Sequence, residues 1–173
     1  MNFKRLIYLL IMSFYLMSNV YAATYYVSTT GSDSNSGTTA QQAWATFSHA
    51  VSRLSPGDEL VILDGIYNQS LYVSRSGTSS NPILIRAMND GKVFVDGRSS
   101  VRPCTISGSY IHVDGIVFQN SSGSVIVVSG RHNEIKRCSA YYGRFGGNDH
   151  CWEITGTYNL LEDCIAAGTE RHL

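Results

Sequence analysis

The sequence predicts an all-β fold, a right-handed parallel β-helix with a short capping helix at its N-terminal end. Three observations carry this. Residues 106–117, 128–140 and 154–166 repeat one pattern: an apolar residue, then Ser or Thr, then Gly, then a short alternating strand. The repeat glycines Gly108, Gly130 and Gly156 recur at intervals of 22 and 26 residues, too few for a β-α-β crossover in each unit. Ser, Thr, Gly, Asn, Ile and Val dominate while charged residues are only 15% of the chain, a composition of strands and turns.

The chain opens with Lys4 and Arg5, an apolar run from Leu6 to Met17, and the small-residue ending Val20-Tyr21-Ala22. That order reads as a secretory signal peptide over residues 1–22, and its apolar run is shorter than the roughly 20 residues of a membrane span. Secretion to the extracellular space or periplasm is therefore expected, with no membrane attachment after cleavage. Loss of two cations from a chain with 13 basic and 13 acidic residues leaves a slightly negative surface, which offers no footprint for nucleic acid. About 150 residues then remain, enough for one domain. We expect residues 23–173 to form it, as a monomer, with a cap over about 23–80 and regular turns over about 81–173.

Within the cap, Trp44, Phe47, Val51 and Leu54 recur at helical spacing and predict a short amphipathic helix stopped before Pro56-Gly57. A helix there covers the apolar mouth and the open strand edges of a solenoid. Next, Ile83–Arg86 and Val93–Gly97 fit an early, less regular turn. In the regular part, stacking rungs about 4.8 Å apart place like residues in ladders. Ile106, Val128 and Ile154 form one inward ladder, and Val113, Ile135 and Leu161 another. Gly115, Cys138 and Cys164 are read as equivalent corner positions. Cys138 and Cys164 then fit either a disulfide or a ladder of buried thiols, whereas Cys104 and Cys151 lie two turns apart. Without a C-x-x-C pair, a structural zinc site is not expected.

Tyr25-Tyr26-Val27-Ser28, Gly31-Ser32-Asp33-Ser34-Asn35-Ser36-Gly37-Thr38, Trp44, Ala45, Phe47, Ser55-Pro56-Gly57-Asp58 and Asp64-Gly65-Ile66-Tyr67 follow in one order. This order resembles the start of secreted bacterial β-helix proteins of the pectate-lyase family 9 type; chondroitinase and alginate lyases of the same architecture look related. The resemblance covers roughly residues 24–173. It implies binding of an acidic polysaccharide in a groove along the solenoid. It also implies a calcium ion that neutralises the uronate carboxylate, and a lysine or arginine base for β-elimination. The specificity of the motif is for architecture more than for activity.

The segment N-D-H-C-W-E-I at 148–154 stands where that family has N-D-D-G-F-D-L. The resemblance makes Asn148, Asp149 and Glu153 candidate calcium ligands. His150 replaces a carboxylate there, and a neutral imidazole suits a hard cation poorly. Strand parity puts Asp149, Cys151 and Glu153 on one face and His150, Trp152 and Ile154 on the other, so these residues do not converge on a zinc ion. Trp152 is a candidate sugar-stacking residue, or a core residue if Ile154 points inward. Gly143–Gly147 lengthens its turn and makes Arg144 a candidate for a substrate carboxylate. No residue is assigned as the base; Lys136 and Arg137, with Arg171 and His172 at the end, are the other basic candidates.

The pattern runs to Leu173 without a closing cap, so the chain reads as part of a longer solenoid. The expected function is a secreted lyase on uronate-containing glycans. The alternatives are a non-catalytic glycan-binding or structural β-helix, or a glycoside hydrolase using Glu153 with Asp149 or Glu170.

Overall fold

The computed structural model describes residues 22–143 and 149–168. The expected leader, apart from Ala22, lies outside them. Strand β1 (Thr24–Val27) and helix α1 (Phe47–Arg53) open the fold. A first rung follows with β2 (Glu59–Ile62), β3 (Gly65–Tyr67) and β4 (Leu71–Val73). The second has β5 (Ile83–Ala87), β6 (Val93–Asp96) and β7 (Cys104–Ile106). The third has β8 (Ile111–Asp114), β9 (Ile116–Gln119) and β10 (Ile126–Val128). The fourth has β11 (Glu134–Lys136), β12 (Ser139–Tyr141) and β13 (Trp152–Ile154), and β14 (Leu160–Glu162) and β15 (Ile165–Ala167) start a fifth.

Among the described residues every neighbouring strand pair is parallel, and the strands stack into three sheets. The first sheet runs β1-β2-β5-β8-β11-β14, the second β3-β6-β9-β12-β15 and the third β4-β7-β10-β13. This is the expected β-helix. Both inward ladders are formed: Val113 pairs with Ile135 and Ile135 with Leu161, while Ile106 pairs with Val128 and Val128 with Ile154. Regular stacking begins at Glu59 rather than near residue 81, because β2 and β4 already pair in register with β5 and β7. The first rung lacks the apolar-Ser/Thr-Gly triplet, so the repeat did not reveal it.

The triplet glycines are explained by space. A Cβ on Gly130 would lie 1.7 Å from the Gly108 carbonyl oxygen, and one on Gly156 would lie 1.8 Å from that of Gly130. Corners use a second device. Gly115, Arg137 and Asp163 stack at the bend between the first and second sheets with φ of 73°, 48° and 53°. Here the register corrects the sequence reading by one residue. Ser139 pairs with Val117, so Cys138 stands over Ile116, and it is Arg137 that stands over Gly115. A left-handed corner lets a non-glycine occupy the place, which is why the glycine spacing misled.

Cys138 and Cys164 are equivalent and unbridged; their thiols donate to the carbonyls of Val113 and Ile135 at 3.9 and 3.3 Å. Burial pushes the Cys138 thiol up to about 12, which keeps it protonated.

Helix α1 covers the mouth with Phe47, Ala50 and Val51 buried. Trp44 lies before it, in extended chain bridged to Val27, with its ring stacked on Tyr25 at 4.8 Å. The helix starts later than its apolar spacing suggested because Thr46 is its N-cap, accepting from His49 N–H. Asp33 holds this entry: its carboxylate accepts from Ala45 N–H at 2.9 Å, Thr46 N–H at 3.0 Å and the Thr46 hydroxyl at 2.7 Å. Gly31 and Gly37 are small because a Cβ on them would meet Trp44 at 2.2 and 2.3 Å. The Gly31–Thr38 motif is thus a clasp for the cap.

Partial burial pushes the Asp33 carboxyl up, but the hydrogen bonds from Thr46 and Ala45 outweigh it and its pKa falls below the ordinary value. A lowered folded pKa stabilises above the unfolded value and is lost as pH falls through the folded one. Asp33→Ala is expected to cost about 1–2 kcal/mol at neutral pH. The gap between the urea midpoints of variant and wild type should close by about pH 2.

Candidate functional site

Two surfaces hold the residues of interest. The first is the outer face of the third sheet and its rim. Glu153 pairs with Val127, and Val127 with Thr105, so its carboxylate is on that outer face. Trp152 pairs with Ile126, which pairs with Cys104; both are buried, and Trp152 packs against the interior with them. Its indole N–H donates to the Ile165 carbonyl at 3.4 Å. Trp152 therefore belongs to the interior ladder and not to the outer face, the outcome that strand parity with Ile154 requires.

The connection into β13, residues 142–151, is longer than those of the rungs before it, 120–125 and 97–103. Arg144 and Asn148 lie outside the described residues. Asp149 projects towards Gly123: a Cβ there would lie 3.4 Å from its Oδ1 and 3.7 Å from Arg102 Nη2. Asp149 and Arg102 thus both reach the space over Gly123, while Glu153 lies four residues along on the sheet face. Among the described residues no three His, Cys, Asp or Glu side chains group to hold a metal ion. Calcium takes six to eight oxygens, more than these two carboxylates supply by themselves. Asp149, at the rim, and Glu153, on the sheet face, are the described members of the expected calcium set; Glu170 lies outside the described residues.

The second surface is the outer face of the first sheet and the corner that leads into it. Arg86, Asp114, Lys136 and Glu162 follow one another in register along a single row. Arg86 bonds Glu59 at 2.6 Å, and Lys136 reaches Glu162 at 3.1 Å and Glu134 at 3.2 Å. Arg137 pairs with Asp114 and with Asp90 at 3.3 Å. Hydrogen bonds and charge from Glu162 and Glu134 raise the Lys136 ammonium above its ordinary pKa. A base must shed its proton near working pH, so this lysine is unsuited to proton abstraction.

Beside that row runs a groove of about 310 Å³, bordered by Ser79, Tyr110, His112, His132, Glu134 and Tyr158. Tyr110, His132 and Tyr158 lie two residues beyond the three repeat glycines, and each has a left-handed backbone with φ of 54–58°. Their rings stack at 5.0 and 4.9 Å with interplanar angles of 6° and 4°. Asparagines hold the corners. Asn133, fully buried, accepts from Ile111 N–H at 2.9 Å and donates to the Gly108 carbonyl at 3.1 Å. Asn159 accepts from Asn133 N–H at 2.9 Å and donates to the Gly130 carbonyl at 3.0 Å. The sequence reading overlooked this aromatic row, although it keeps the same intervals of 22 and 26 as the glycines.

The uncharacterized protein YwoF of Bacillus subtilis (strain 168) is 36% identical over 74 residues, 43% of this chain and 16% of that protein. Pectate lyase L of Thermoclostridium stercorarium is 24% identical over 98 residues, 53% of this chain and 8% of that one. The solved structure of pectate lyase Pel9A superposes with a TM-score of 0.69 at 22% identity, over 83% of this chain and 39% of that chain. The chain therefore spans well under half the length of each of these relatives. At such identity the superposition establishes the fold alone. The family profile described as "Pel9A-like, right handed beta helix region" matches residues 25–168, and the chain belongs to that family.

Proposed function

We propose that the protein is secreted and acts as a polysaccharide lyase on uronate-containing glycans by β-elimination. The observation that supports it is the family match, which runs through every rung of the solenoid from residue 25 to 168. In such a reaction a base removes the proton beside the uronate carboxylate, negative charge builds on that carboxylate, and the glycosidic bond at the neighbouring carbon breaks. Cationic groups at the carboxylate supply the largest stabilisation. Arg102, at the rim of the third sheet, is a candidate for that contact, with Arg144 proposed from its sequence position. Calcium, where the reaction uses it, is proposed to take Asn148, Asp149 and Glu153 among its ligands. The base stays unassigned, and Lys136 is not proposed for it.

The test is incubation with polygalacturonate and with alginate, with calcium or with a chelator. The expected result is a rise in the ultraviolet absorbance of an unsaturated product. Lys136→Met should leave the rate and its pH profile unchanged. No product from either polymer, in a preparation shown to be folded, overturns the lyase reading and leaves a non-catalytic β-helix.

A further inference from the structure

We infer that the groove beside the Tyr110–His132–Tyr158 stack is a binding subsite for uncharged sugar units of a glycan chain. It is independent of the β-elimination reading, since it uses a different sheet from the rim where Arg102 stands.

The first argument is the wall. Three rings, one per rung, lie nearly parallel and hold one another in place. Their backbones are fixed in left-handed corners, two of them followed directly by an asparagine that ties neighbouring rungs. Little side-chain freedom is left to lose on binding, which is what preorganisation contributes to affinity. His132 is sandwiched between the two tyrosines, so the row turns ring edges to the groove, and the phenol hydroxyls at either end of the stack can bond sugar hydroxyls.

The second argument is charge. Among the described residues no lysine or arginine borders the groove. Their one full charge there is the Glu134 carboxylate, held at 3.2 Å by Lys136 and at 3.8 Å by His112 Nε2. A uronate placed here would bring a second carboxylate to Glu134 with no guanidinium to receive it. Sugar hydroxyls meet no such penalty. They can donate to Glu134 and exchange hydrogen bonds with Thr78, Ser79 and His112. Asn133 takes no part, because both ends of its amide are already engaged.

Titration of the whole chain with galactan and xylan oligosaccharides and with oligogalacturonate, followed by calorimetry and NMR, tests this. Saturable binding of a neutral oligosaccharide is expected. Tyr158→Ala and Tyr110→Ala should each weaken it about tenfold. Glu153→Gln, on the third sheet, should leave it unchanged. Tyr158 is exposed enough for its variant to keep the fold, which circular dichroism checks. The inference is overturned by the absence of saturable binding to any neutral probe, or by binding that both tyrosine variants leave intact. It is also overturned if oligogalacturonate is the tighter ligand and Glu134→Gln tightens it further. Product release from polygalacturonate, measured on the same variants, reports on the lyase reading alone.

Discussion

Gly130→Ala is expected to lower stability by about 3 kcal/mol or more, among the largest effects of any single methyl group in this protein. The added Cβ would sit 1.7 Å from the Gly108 carbonyl oxygen and 2.9 Å from Asn133 Nδ2. Neither atom can retreat cheaply. The carbonyl belongs to the backbone of the next rung, and the amide is buried and bonded to that same carbonyl. The rungs must separate locally, and the ladders on both sides of the corner lose contact. For a domain of this size the midpoint of thermal unfolding should fall by about 6–12 °C. Gly91→Ala is the control. It has nothing within 4 Å and a φ of 69°, so it adds backbone strain of only about 1 kcal/mol without a clash. If Gly130→Ala melts no lower than Gly91→Ala, the close approach of the rungs is wrong.

Asn133→Leu is expected to cost about 2–4 kcal/mol although the two side chains are nearly the same size. The replaced amide leaves the Ile111 N–H without its acceptor and removes one donor from the Gly108 carbonyl. Both groups are internal, so water does not readily replace the lost partner, and each orphan carries its own desolvation cost. Asn133→Asp separates shape from hydrogen bonding: it keeps the acceptor for Ile111 and loses the donor to Gly108. Urea unfolding should rank wild type above Asn133→Asp, whose charge is also buried. A leucine variant as stable as wild type would mean that the asparagine row is incidental.

Much of the architecture was legible because stacking translates sequence intervals directly into space. Ile106, Val128 and Ile154 share a triplet, and the structure puts them in one column. Trp152 follows from the same parity, and its interior place needed only that Ile154 point inward. The aromatic row at 110, 132 and 158 was equally visible and went unread because two tyrosines and a histidine do not look like a repeat by residue class. What sequence intervals could not show were contacts set by loop paths. Asp149 and Arg102 both reach the space over Gly123, from connections of unequal length that enter the third sheet. The partners of Lys136 depend on strand register at single-residue precision, which the Gly115 and Cys138 comparison missed by one.

The alternating row Arg86, Asp114, Lys136 and Glu162 bears on how the chain avoids misfolding. All strands of the first sheet run the same way and look alike, so the easiest error is to skip a rung and stack a strand on the next but one. Each correct neighbour brings opposite charges together. A skipped rung would lay Arg86 on Lys136, or Asp114 on Glu162, and directly opposed like charges are destabilising in a sheet. The row thus works as a parity check on assembly, rejecting a mispairing that the apolar interior, with its interchangeable Ile and Val, would accept.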